Sequence, residues 1–127
     1  MKHLFTVTAV IEVGAGVPLL GMPAVVVQLL LGADIFGVAI PLGRVAGAAL
    51  LALGVASWLA RGDTQSRAAR GLVAAMLLYN CGAVIVLGAA GIRLQTAGIA
   101  LWPAVILHAG MAVWCVSLLL RKLAHKS

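Results

Sequence analysis

Apolar residues run almost without interruption through four stretches of this chain, and polar residues gather in short clusters between them. The first stretch, residues 4–31, carries one charge, Glu12, and the second, residues 35–60, carries one, Arg44. The third, residues 71–92, has none, and neither does the fourth, residues 97–120. A bilayer needs about 20 consecutive apolar residues in a helix. The pattern therefore predicts four spans, at approximately 4–21, 37–60, 71–92 and 97–120. Gly14, Gly16, Pro18, Gly21 and Pro23 crowd the first stretch, and such residues kink or break helices even in membranes. A short separate piece over 23–32 follows, either lying along the interface or completing a long kinked first helix.

The polar clusters act as punctuation. Gly32-Ala33-Asp34 turns the chain, Arg61 to Arg67 forms the one clearly hydrophilic loop, and Arg93-Leu94-Gln95-Thr96 forms a third turn. A basic tail with Arg121, Lys122, His125 and Lys126 closes the sequence. The start, Met1-Lys2-His3 and an apolar run, has the outline of a signal peptide. Glu12 interrupts its apolar region and no small-x-small site follows, so the segment reads as a retained first span.

Composition sharpens this picture. Of 127 residues, 64% are hydrophobic and 9% charged, with a mean hydropathy of +1.17. Soluble domains are about half apolar and a quarter charged, and a short water-soluble chain cannot hide this much apolar surface. A soluble enzyme, a secreted disulfide scaffold and a disordered tail are excluded. The expected fold is all-α, a single-domain four-helix transmembrane bundle and a multi-pass protein of the cell inner membrane.

The formal charge of +6 adds orientation rather than a nucleic-acid site. Its basic residues sit at the ends of the apolar stretches without interleaved aromatics, so no nucleic-acid partner is expected. Lys2, Arg61, Arg67, Arg70, Arg121, Lys122 and Lys126 fall on one side of the predicted topology, and Arg93, with Arg44 if it snorkels, on the other. By the positive-inside rule both termini and the 61–67 loop are cytoplasmic. Cys81 and Cys115 lie within apolar stretches and read as small hydrophobes rather than a disulfide pair.

Ionisable groups at membrane depth are costly and point to function by default. With ~1.5 Å of rise per residue, Glu12 lies ~12 Å, Asn80 ~13 Å and His108 ~18 Å from the cytoplasmic ends of their helices, with Arg44 at ~24 Å. Glu12, Asn80 and His108 thus share a level, with Tyr79 beside Asn80. Glu12 reads either as a proton- or cation-binding carboxylate or as a hydrogen-bonded group pinning helices together. His108 reads as a helix-face histidine satisfied by a neighbouring carboxylate. No second histidine shares its depth and Cys115 lies ~10 Å further along the helix, so no metal or other cofactor is expected. Arg44 reads as a snorkelling side chain or a contact to a head group or anion. Gly43 and Gly47 form a G-x-x-x-G that lets another helix approach closely. No H-E-x-x-H, C-x-x-C or G-x-S-x-G occurs, no carboxylate pair shares a depth, and no catalytic residue is assigned.

The run from Arg44 to Arg61, Leu78-Tyr79-Asn80, and Leu101-Trp102-Pro103 followed by His108 resemble a group of uncharacterised small four-helix membrane proteins of GC-rich bacteria. The resemblance covers most of the chain and implies no activity. Ile11-Glu12-Val13-Gly14 is similar in place to the first-helix glutamate of the small multidrug resistance transporters, which implies a proton-exchanging role for Glu12 alone. The chain departs from those transporters in its scarce aromatics and strong charge bias. The expected function is a non-enzymatic membrane protein. It acts as an accessory subunit or binds a small hydrophobic ligand between its helices, in a homo-oligomer or a larger membrane complex. The alternative is an oligomeric proton-coupled transporter or small channel with Glu12 as proton site. A membrane enzyme using His108 as general base is a third class.

Overall fold

The structure is a computed structural model, and it describes residues 1–94 and 97–124, with the side chains of 122–124 left out. Gln95 and Thr96 of the third turn, and His125 and Lys126 of the basic tail, lie outside the described residues. Five helices follow in order: α1 (Lys2–Gly21), α2 (Pro23–Leu31), α3 (Ala39–Ala60), α4 (Arg67–Arg93) and α5 (Leu101–Ala124). No strand occurs among the described residues. Four of the helices, α1, α3, α4 and α5, are long and apolar enough to cross a membrane.

The element ends follow local chemistry. Met22, between α1 and α2, has φ −133° and ψ 61°, as expected for a residue whose helical conformation is disfavoured by the proline after it. Pro23 then occupies the first turn of α2, where its missing N–H costs nothing. Ser66 caps α4, its hydroxyl accepting from the Ala69 N–H at 3.0 Å, so the helix starts at Arg67, ahead of the apolar stretch itself. The fourth stretch behaves in the opposite way. It becomes helical only at Leu101, because Gly98 and Ala100 donate their N–H groups to the carbonyls of Leu30 (3.1 Å) and Leu29 (2.9 Å) on α2.

The spans pack as two antiparallel hairpins, α1 with α3 and α4 with α5. Gly16 and Gly47 set the first. A β-carbon on Gly47 would lie 2.5 Å from the Leu20 nitrogen and 2.9 Å from the Gly16 carbonyl oxygen, so the two backbones touch. Gly43, one turn away, lies against the Pro23 ring. Small residues of this kind allow the close packing that replaces the hydrophobic effect between helices in lipid.

The hairpins join at both ends. At the end where α1 and α4 begin, Leu4 and Phe5 of α1 pack with Ala69, Val73 and Met76 of α4 and Met111 and Cys115 of α5. At the other end α2 meets the 98–100 segment, and Gly98 approaches so closely that a β-carbon would overlap the Leu29 carbonyl. Most large apolar side chains elsewhere face outward, among them Val45, Leu59, Leu78 and Ile106. Lipid is the solvent that such a surface fits.

Candidate functional site: a buried polar centre and an apolar groove on opposite faces of α1

The buried face of α1 repeats with helical period: Leu4 and Phe5, then Thr8 and Ala9, then Glu12, then Gly16. Thr8 and Glu12 are one turn apart and point the same way, into the space between the hairpins. Glu12 is 3% exposed, and no cation pairs with it among the described residues. The Thr8 hydroxyl is fully buried and has no hydrogen-bond partner among the described residues.

Across this interface, Asn80 and His108 meet between α4 and α5. Asn80 Nδ2 donates to the Met76 carbonyl one turn back, at 2.7 Å, which leaves Oδ1 facing His108 Nδ1 at 2.8 Å. A carbonyl only accepts, so the amide orientation is fixed, and an amide oxygen only accepts, so Nδ1 of His108 is the donor. In the neutral ring Nε2 then carries the lone pair. Tyr79 stands edge-on to the same imidazole, with ring centroids 5.5 Å apart and planes at 85°. One turn nearer the termini, the buried Ser57 hydroxyl points to the Met76 sulfur at 3.9 Å and links α3 to α4.

Of the polar residues singled out by depth, Tyr79, Asn80 and His108 are thus in direct contact, and Glu12 faces them from α1. The Nδ1 partner of His108 is the Asn80 amide rather than a carboxylate. The reason is separation in the bundle: Asn80 shares a tightly packed hairpin with His108, whereas Glu12 belongs to the other hairpin. Arg44 is exposed near the opposite end of α3 and takes no part in this centre. Among the described residues no group of three or more His, Cys, Asp or Glu side chains converges as a metal site would require.

A groove flanks the buried face of α1, and Ala9 borders both. Ala9, Val10, Val13 and Gly14 of α1 and Gly54, Val55 and Trp58 of α3 line a space of about 550 Å³ that opens toward the surroundings of the bundle. Gly14 provides no side chain and a β-carbon there would meet nothing within 4 Å, whereas Gly54 lies close against Ala9 and Val13 and sets the floor where α1 and α3 touch. Val10, at 65% exposed, and Glu12, at 3%, show how completely the two faces of α1 differ.

The Arg61 guanidinium carbon lies 3.2 Å from the centroid of the ring of Trp58, one of the groove-lining residues. A cation over indole is the most favourable of the cation–π arrangements. Arg61 Nη1 is enclosed and has no hydrogen-bond partner among the described residues. Asp63, the acid nearest in sequence, accepts the N–H groups of Gln65 (3.4 Å) and Ser66 (3.2 Å) and shapes the turn into α4.

Shared depth singled out Asn80 and His108, which are hydrogen-bonded to each other, but not Thr8, Ser57, the groove or the Trp58–Arg61 stack. The i, i+4 spacing of Thr8 and Glu12 was a usable signal. The groove was not, because it depends on how α1 and α3 are set against each other. No family model, no curated protein and no solved structure matches the chain.

Proposed function

We propose that this chain is a non-enzymatic, multi-pass membrane protein that holds a small hydrophobic ligand in the groove between α1 and α3. The observation that carries this reading is the groove itself, about 550 Å³ with a wholly hydrophobic and glycine lining. That volume lies in the range of about 300–1,000 Å³ usual for small-molecule sites. The Asn80–His108–Tyr79 cluster supports it by holding α4 to α5 in register, away from the groove. The same reading suits an accessory subunit that presents its ligand within a homo-oligomer or a larger complex. Lys2, Arg61, Arg67 and Arg70 at one end of the bundle favour cytoplasmic termini and an inner-membrane location.

Trp58 offers a direct test, since its indole lines the site. In a Trp102→Phe/Trp114→Phe background, a brominated fatty acid added to protein in micelles should quench Trp58 fluorescence with saturation near one molecule per chain. Quenching that rises linearly without saturation would refute a defined site.

A second reading has its own observation. Glu12 is buried, has no ion-pair partner among the described residues and faces Tyr79. A buried carboxylate of this kind suits proton-coupled transport by an oligomer, with Glu12 as proton site.

A further inference from the structure

We propose that the groove between α1 and α3 and the Arg61 guanidinium form one composite site for a single anionic glycerophospholipid, an acyl chain in the groove and the phosphate on Arg61. The inference rests on the reading that the groove holds an apolar ligand, and it names that ligand's chemistry.

Three observations converge. The groove is apolar, open to the bundle's surroundings and bounded toward the chain termini by Trp58. An acyl chain is an occupant whose chemistry suits such a lining. Trp58 is also a residue type that favours the membrane–water interface, where its body contacts chains and its N–H contacts head groups.

Arg61 supplies the second part. Stacking on Trp58, which lines the groove, fixes the guanidinium beside that ring. Nη1 is enclosed without an acceptor among the described residues, so the phosphate contact falls to the accessible part of this half-buried side chain. A guanidinium held in this way has donors matched to phosphate oxygens. The third observation is charge. Lys2 opens α1, Arg67 and Arg70 open α4, and both helices begin at the end of the bundle where Arg61 follows α3. The end that would hold the phosphate is therefore the electropositive one, which favours an anionic head group over a zwitterionic one.

The experiment is native mass spectrometry of the full chain in micelles, titrated in parallel with phosphatidylglycerol and phosphatidylcholine of identical acyl chains. Wild type should bind one lipid and prefer phosphatidylglycerol about five-fold, the effect of one basic residue at an anionic interface. Arg61→Ala and Arg61→Gln should each abolish that preference while phosphatidylcholine still binds, which also shows that the variants are folded. Gly14→Leu adds a side chain to a groove-lining residue at which a β-carbon meets nothing within 4 Å, and should weaken both lipids at least five-fold.

Equal affinities in wild type, or a preference that survives both Arg61 variants, would overturn the head-group assignment. If Gly14→Leu still weakened both lipids in that case, the groove would stand as a hydrophobic site. If Gly14→Leu changed neither, the groove reading itself would fall. A chain dimer that Gly14→Leu disrupts, with no dependence on lipid, would identify a second copy as the occupant and overturn the proposal.

Discussion

Asn80 presents its amide oxygen to His108 Nδ1 at 2.8 Å because its amide nitrogen is already committed to the Met76 carbonyl at 2.7 Å. One side chain thereby satisfies its own helix and bridges to the next. Losing it leaves a histidine donor unpaired inside the bundle, and replacing both partners removes that penalty. Asn80→Leu and His108→Leu, alone and together, should give a coupling energy of about 0.6–1.7 kcal/mol in a double-mutant cycle. Thermal denaturation in detergent reads it, and strict additivity would mean that the pair contributes no mutual stability.

Thr8 calls for the opposite experiment. Its hydroxyl is buried with no partner among the described residues, and a buried hydroxyl without a hydrogen bond costs about 1–3 kcal/mol by mutational measures. Thr8→Val preserves shape and removes that cost, so the melting temperature should hold or rise. A clear drop would show that the hydroxyl is bonded in the membrane.

Gly47 and Gly14 lie on α3 and α1 and differ entirely in their surroundings. Gly47→Leu would drive a side chain into the Leu20 and Gly16 backbone, where a β-carbon already lies within 2.5–2.9 Å. Overpacking of this kind costs about 1–3 kcal/mol, and more where backbone must move. Gly14→Ala meets open space and should be neutral or slightly stabilising, by about 0.5–1 kcal/mol from helix propensity alone. Equal melting temperatures for Gly47→Leu and wild type would contradict the close packing of α1 on α3.

How much of this was readable beforehand depends on whether a feature is local. The four spans come from runs of apolar residues; the first run divides at Met22 into α1 and α2, and each of the others holds one helix. The Asn80–His108 pair was visible as a common depth, because helical rise converts residue number to height. The start of α5 was not: it shifts to Leu101 because Gly98 and Ala100 bond to α2, a partner about 70 residues earlier in the chain. Arg61 counted in the sequence only as a loop charge, since its stack on Trp58 depends on how the last turn of α3 ends. The groove needed still more, namely the setting of α1 against α3 at Gly16 and Gly47.

Glu12 separates the two functional readings. In proteoliposomes with an internal pH-sensitive dye, Glu12→Gln removes the titrating group and keeps the size. Proton-coupled transport predicts that wild-type proton uptake is lost in the variant while its melting curve stays cooperative. Uptake that is the same with and without the Glu12 carboxylate would eliminate that reading and leave the groove as the basis of function.

The most direct measurement of the central claim is the mass of the protein ejected from its own membrane, without added lipid, for wild type and Gly14→Leu. A hydrophobic ligand in the groove between α1 and α3 predicts one additional mass per wild-type chain and its loss in Gly14→Leu. The same bound mass in both proteins, or none in either, would contradict the account.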